Sequence, residues 1–369
     1  MADKVLMKGN EAMSEAALIA GCRYYFGYPI TPQNEVAAYM SRRMKDLRGT
    51  FIQAESEVSA INMVFGASAA GARVMTSSSS PGVSLKQEGI SYLAAGHLPC
   101  VIANIMRAGP GLGNITPGQG DYFQSVKGGG HGDYRLICLA PHSVQDMADY
   151  TVIAFDLADR HRIPVMIVTD GMVGQMIEAI ELPVYRRPSG LPDKDWALTG
   201  AKSRERNIVR TLWLQPENAV EQNNFRLQEK YRQIEEQVTL YEEYQTEDAE
   251  VIFTAFGICA RLAKGAIEEL RKEKIRCGLI RPITLWPFPS DVISRYSALK
   301  RVKFFLDVEL NSGQMLEDVR YAVLGNKPVH FYGRLGGYVP SIEDLVLEVK
   351  RILGKKLSKR EKLKIKESI

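Results

Sequence analysis

Tyr24-Tyr25-Phe26-Gly27-Tyr28-Pro29-Ile30-Thr31-Pro32 sets the reading of the chain. The aromatic run suits a strand. Thr31 suits a helix N-cap and Pro32 a first helical position. The stretch therefore reads as a strand that ends in a loop and opens a helix. The pattern spreads outward from there. Residues 11–20 read as a helix, with Asn10 as its cap and Gly21 at its stop. Residues 51–53, 74–76, 101–106, 136–139 and 164–169 read as strands, with helices over 57–70 and 144–158. Apolar strands separated by helices predict a parallel sheet covered on both faces.

The alternation fails between about residues 171 and 214, where Pro183, Pro188, Gly190 and Pro192 mark an irregular connector. Residues 216–248 are polar and predict a long exposed helix bridging two domains. A second α/β pattern begins at Glu250. Composition is that of a globular protein, with 45% hydrophobic and 24% charged residues. No apolar run approaches the roughly 18 residues of a membrane span. The opening Met1-Ala2-Asp3-Lys4 lacks a signal-peptide layout, so a cytoplasmic protein is expected. The net charge of +4 sits on a tail, since nine Lys or Arg and two Glu lie from Lys350 onward. The remainder is acidic, which argues against nucleic-acid binding. The tail reads as a solvated end or a docking segment for an acidic partner. Cys22, Cys100, Cys138, Cys259 and Cys277 are far apart in sequence and form no C-x-x-C. Buried free thiols are expected, with no metal or iron–sulfur site.

Ligands of open α/β sheets bind beyond the carboxyl ends of the strands. Four segments fall there. Tyr28, Pro29, Ile30 and Thr31 offer a hydroxyl and free N–H groups that suit a carboxylate. Glu55 and Glu57 lie at a helix start, where each either caps or exchanges protons. The run from Thr76 through Ser79, Ser80, Pro81 and Gly82 reads as a turn of small residues that lets a ligand approach the backbone. It is not a P-loop, because no Gly-Lys-Ser/Thr follows. Arg107 directly follows an apolar strand, and a guanidinium there suits a bidentate grip on a carboxylate. His131 and Asp133, in a Gly-rich loop, are a weaker acid–base pair. Together these residues suit a small anionic substrate and a proton-handling carboxylate.

At these positions the sequence resembles the 2-oxoacid:ferredoxin oxidoreductases, in their α-type subunit. The resemblance rests on residues 27–32, 55–57, 76–82, Arg107 and Gly132-Asp133. It continues in Arg281-Pro282-Ile283-Thr284-Leu285-Trp286-Pro287-Phe288-Pro289 and Glu309-Leu310-Asn311-Ser312-Gly313-Gln314. The loop 106–113 and Tyr122-Phe123-Gln124 lean toward the 2-ketoisovalerate (3-methyl-2-oxobutanoate) branch. The resemblance implies an α/β fold. A thiamine-diphosphate-binding, pyrimidine-type parallel-sheet domain (1–200) and a connector with a long polar helix (201–249) come first. A transketolase C-terminal-like α/β domain (250–354) and the basic tail (355–369) follow.

It also implies roles. Glu57 would be the catalytic carboxylate, hydrogen-bonded to N1′ of the thiamine aminopyrimidine. Ser79, Ser80, Pro81 and Gly82 would line the cofactor. Thr31 and Arg107, with Tyr28, Pro29 and Ile30, would bind the 2-oxoacid. The implied reaction converts a branched-chain 2-oxoacid and coenzyme A to acyl-CoA and CO₂, with electrons passing to ferredoxin. 2-Oxoglutarate or pyruvate are alternative substrates. A non-catalytic assembly subunit, with Glu57 only capping a helix, is the alternative of another class. There is no Gly-Asp-Gly motif and no cysteine cluster. A β-type partner is therefore expected to hold the diphosphate and Mg²⁺, and ferredoxin-like γ/δ-type subunits the iron–sulfur clusters.

Overall fold

Strands and helices alternate from the first described residues, as their apolar patterning requires. The structure is a computed structural model that describes residues 4–201, 203–358 and 361. Met1 to Asp3 and most of the basic tail lie outside the described residues.

β1 (Val5–Lys8) leads into α1 (Gly9–Ile19). Then follow β2 (Tyr24–Gly27), α2 (Asn34–Asp46), β3 (Thr50–Gln53), α3 (Glu57–Ala69), β4 (Val74–Ser78), α4 (Ser80–Ala95) and β5 (Cys100–Met106). After a long loop come α5 (Tyr122–Val126), β6 (Ile137–Leu139), α6 (Val144–His161), β7 (Pro164–Asp170), α7 (Gly171–Gln175), β8 (Ile177–Ile180) and α8 (Ala219–Val238). The remainder is β9 (Tyr241–Tyr244), β10 (Val251–Ala255), α9 (Gly257–Lys272), β11 (Cys277–Pro282), β12 (Thr284–Trp286), α10 (Ser290–Ser297), β13 (Phe304–Glu309), α11 (Met315–Val323), β14 (Val329–Gly333) and α12 (Ile342–Ile352).

The main sheet has seven strands in the order β12-β6-β7-β5-β4-β2-β3. Six of them are parallel, and β12 pairs antiparallel with β6. β4, β5, β6 and β7 are buried along their whole length, which is why they read as continuous rather than alternating runs. The second sheet has the order β14-β13-β10-β11-β9, with β9 antiparallel at one edge. β1 and β8 form a separate antiparallel pair. All five cysteines are free and buried. No helix among the described residues is long and apolar enough to cross a membrane.

Three sequence expectations are corrected. Thr31 and Pro32 do not open a helix, since α2 begins at Asn34 with Gln33 as its cap residue. Gln33 instead closes a turn, its backbone N–H donating to Ile30 O (3.0 Å) and its Nε2 to Tyr28 O (3.1 Å). Asn10 is not a cap but a buried residue inside α1, donating to Pro32 O at 2.9 Å. The polar helix covers Ala219–Val238 and is not exposed all round. Asn223, Leu227, Tyr231, Ile234 and Val238 form one buried stripe at helical spacing. Tyr231 meets Trp286 edge-on at 5.6 Å.

The two sheets are joined by a buried polar seam. Asp170, at the end of β7, accepts from Val173 N (3.1 Å) at the start of α7. It also accepts from Ile258 N (2.7 Å) at the start of α9. Gln119 donates to Phe256 O (3.0 Å), exchanges backbone and side-chain bonds with Leu310, and accepts from Asn311 through its carbonyl. Across the same seam Arg281 is 3% exposed and bonds Glu242, Asp146 and the Tyr150 hydroxyl. Glu309 accepts from Met315 N and Leu316 N and so caps α11. One hydrophobic core runs through both units.

Gly257 stands at the tightest point of this seam, with φ +55°. A Cβ there would press on Asp170 Oδ2 and come within 2.8 Å of Gln119 Nε2. Gly257→Ala is expected to cost about 1–3 kcal/mol, from backbone strain and the displaced hydrogen bonds. Thermal unfolding of the two chains side by side will show a lowered midpoint for the variant.

Candidate active site

The amino end of α4 is where the predicted residues meet. β4 continues through Ser78 and α4 starts at Ser80, so the Ser-rich run is a one-residue junction rather than a turn. The small side chains allow this. Ser80 N donates to Asn104 Oδ1 at 3.1 Å, and its hydroxyl accepts from Arg107 N at 3.0 Å. Ser78 Oγ and Ser79 Oγ are buried without a hydrogen-bond partner.

Two groups converge on this end. The first is Glu57, 5% exposed at the start of α3. Ser56 caps that helix, accepting from Ser59 N at 3.2 Å, so Glu57 is not needed as a cap. Its carboxylate lies against Gly82. A Cβ on Gly82 would stand 2.5 Å from Glu57 Oε1 and closer still to Ser78 Oγ. Among the described residues nothing hydrogen-bonds the Glu57 carboxylate. Glu55 is different. It is exposed, and its hydrogen bond with the Ser59 hydroxyl holds its carboxyl below the usual range.

The second group is Arg107, buried at the end of β5. Nη1 donates to Thr31 O (3.0 Å) and Nη2 to Leu112 O (2.8 Å). A guanidinium carries five N–H donors. Two are used here, and Nε is buried without a partner. Arg107 thus ties the 28–33 turn to its own loop and keeps donors in reserve. The Thr31 hydroxyl accepts from Asn34 Nδ2 at 3.3 Å. Tyr28 and Ile30 are half-buried and Pro29 is exposed on the same turn. His131 and Asp133 are exposed on their Gly-rich loop.

Several buried polar residues at this end were not anticipated. Lys86 sits one helical turn beyond Gly82 and donates to Thr76 Oγ1 (2.6 Å) and Ser77 O (2.9 Å). Burial pulls its ammonium down to about 7, opposed by the charge of Glu57. Asn104 donates to Asp121 Oδ2 at 2.9 Å, and burial raises the Asp121 carboxyl. Ser77 Oγ donates to Gln33 Oε1 at 2.5 Å and meets the Tyr25 hydroxyl at 2.6 Å. For Lys86 and Asn104 the available signal was a polar residue inside an otherwise apolar helix face or strand; Asp121 and Gln33 lie in loops, and Ser77 belongs to the Ser-rich run already singled out.

These residues fit the pyrimidine end of thiamine diphosphate. The fit rests on a buried carboxylate lacking a donor and on the small-residue cradle of Ser78, Ser79 and Gly82. Among the described residues no three His, Cys, Asp or Glu side chains are grouped to hold a metal ion.

Lys86 gives a pH prediction. The unfolded lysine titrates near its ordinary 10.5 and the folded one near 7. Between those values the unfolded chain holds the extra proton, so stability rises with pH. Lys86→Met is expected to remove that rise, at most about 1.4 kcal/mol per pH unit. Denaturant midpoints of both chains from pH 7 to 9.5 will show a slope difference.

Comparison with known proteins adds the family. The model described as pyruvate flavodoxin/ferredoxin oxidoreductase, thiamine diP-binding, matches residues 15–252. The pyruvate:ferredoxin oxidoreductase core domain II model matches residues 249–345. The ketoisovalerate oxidoreductase subunit VorB of Methanothermobacter thermautotrophicus is 50% identical, over 95% of this chain and 98% of that protein. The 2-oxoglutarate synthase subunit KorA of Archaeoglobus fulgidus is 38% identical, over 89% of this chain and 95% of that protein. A solved 2-oxoglutarate:ferredoxin oxidoreductase from Magnetococcus marinus, with 2-oxoglutarate, coenzyme A and succinyl-CoA bound, superposes with TM-score 0.82 at 26% identity. The match covers 95% of this chain, which spans only 65% of that one. A split-gene transketolase, at 13% identity and TM-score 0.56, shares the fold. With more than half its length matched by the thiamine-diphosphate-binding model, the chain belongs to the 2-oxoacid:ferredoxin oxidoreductase family.

Proposed function

We propose that this chain is the pyrimidine-side half of the active site in a multi-subunit 2-oxoacid:ferredoxin oxidoreductase. The observation that carries the reading is the buried Glu57 carboxylate with no hydrogen-bond donor, set against Gly82. Glu57 would hold the aminopyrimidine ring through a hydrogen bond at N1′. Gly82, Ser78 and Ser79 give the ring room, and the two orphan hydroxyls supply polar contacts. When bound, thiamine diphosphate supplies the carbon nucleophile and the electron sink for loss of CO₂. Arg107 and Thr31 take the substrate carboxylate, using the donors that the loop carbonyls leave free. In the overall reaction a 2-oxoacid and coenzyme A become acyl-CoA and CO₂, and the electrons released pass to ferredoxin.

A partner completes the site. The chain carries no Gly-Asp-Gly for the Mg²⁺-diphosphate and no cysteine cluster. Val58, Leu85, Leu112 and Ile115 are exposed on the elements that carry Glu57, Gly82 and Arg107. Apolar side chains around a polar site suit burial against another subunit. We assign the diphosphate and Mg²⁺ to a β-type partner and the iron–sulfur clusters to ferredoxin-like γ/δ-type subunits. A branched-chain 2-oxoacid is the proposed substrate, because the ketoisovalerate relative is 50% identical against 38% for a 2-oxoglutarate relative.

Glu57→Gln is expected to lower acyl-CoA formation by about 10²–10⁴-fold in the complete complex at saturating thiamine diphosphate. An unchanged rate would make this an assembly subunit. Substrate choice is read from acyl-CoA yields with 2-oxoisovalerate, 2-oxoglutarate and pyruvate. The branched acid is expected to give the highest kcat/KM. Discrimination of only about 10–200-fold per methylene means some cross-reaction with the others.

A further inference from the structure

The end of the main sheet opposite Arg107 holds a second cleft, of about 610 Å³. Its walls come from the end of α4 and the loop before β5, the end of α6, the 196–213 segment and α8. Arg160, Arg162, Arg210, Arg226 and Lys230 line it, with Trp213. Most cations of this chain that lie near a carboxylate form ion pairs with it. Among the described residues none of these five does. Asp195 is the acidic group that acts on Arg162. A helix C-terminus favours cations, which accounts for Arg160 and Arg162 at the end of α6. It does not account for Arg210, Arg226 and Lys230, which lie on other elements.

The cluster is built rather than scattered. Lys230 Nζ donates to His97 Nδ1 (2.6 Å) and to Arg162 O (2.8 Å). His97 Nε2 meets Asn223 Oδ1 at 3.1 Å. Arg162 Nε donates to His97 O (3.3 Å), and its guanidinium stacks on Trp196 at 4.5 Å. Burial, and after it the neighbouring cations, keep the His97 imidazole neutral, pulled down to about 4. Burial pulls the Lys230 ammonium down to about 7, so the four guanidinium groups carry the firm positive charge of the cleft, and in a concave site they select a ligand with several negative charges. Guanidinium groups match phosphate oxygens in pairs. The half-buried indole of Trp213 offers a face for a base. The volume suits a ligand of nucleotide size.

We propose that this cleft binds a nucleoside polyphosphate as an effector. The ligand is not a reactant, because β5 and β7 separate it from Arg107 by seven residues, about 20 Å of strand. The inference stands independently of the assignment of Glu57. Two of the three tryptophans, Trp196 and Trp213, line the cleft, while Trp286 is buried elsewhere.

The test is a tryptophan-fluorescence titration of the full chain with ATP, tripolyphosphate and adenosine. Saturable quenching by ATP is expected, with tripolyphosphate weaker. The double variant Arg160→Gln/Arg226→Gln changes only exposed side chains and is expected to raise the ATP Kd about tenfold or more. Its circular dichroism should be unchanged. No saturation by millimolar ATP, or equal affinity in the variant, overturns the site. Tripolyphosphate binding as tightly as ATP overturns the nucleoside assignment. Equilibrium dialysis of the assembled complex with labelled ATP must also show binding. Its loss there would make the cleft a surface for an acidic partner subunit.

Discussion

A single buried carboxylate holds the architecture together. Asp170 ends β7 and accepts backbone N–H groups from the first turns of two helices, α7 in one unit and α9 in the other. Burial drives its carboxyl pKa up, and the helix N–H groups drive it down, with burial the stronger effect. A charge in such a place is tolerable only because donors surround it. Gln119 adds a further contact and carries the junction on to Leu310 and Asn311. The long loop after β5 is therefore pinned at its far end to the second unit. Its near end carries Arg107. The position of the guanidinium depends on both units at once.

Seen from that junction, the candidate site has two differently supported halves. Glu57 is set by secondary structure alone, because α3 and α4 pack closely at Gly82. Arg107 is set by a loop, through carbonyls of Thr31 and Leu112. Elements that carry rigid packing suit the proton-handling group. A loop-held cation suits a substrate that must enter and leave. The same division separates the cofactor-facing residues from the substrate-facing ones in the proposed function.

Much of this was legible in the chain. The parallel sheet followed from apolar runs such as 101–106 and 164–169, since strands buried on both faces need no alternation. Glu57, Gly82 and Arg107 were visible because they fall at strand and helix ends. The capping assignments failed at Thr31 and Asn10. Both residues have side chains suited to caps, but the turn closed by Gln33 delays α2 to Asn34, and the Asn10 side chain reaches Pro32. The exposed-helix reading of α8 missed a buried stripe that includes the polar Asn223 and Tyr231. Lys86 and Asn104 were hidden for the same reason. A polar residue in an apolar element reads as solvent-facing until the opposing element is known.

β12 closes the account of how the two units relate. It belongs in sequence to the second, yet it hydrogen-bonds as the edge strand of the first. An exposed sheet edge invites unwanted pairing, and here a strand from the second unit covers it. The two units are thus interlaced rather than strung in series. A gene split near residue 250 would leave one fragment with a bare edge and the other with an orphan strand.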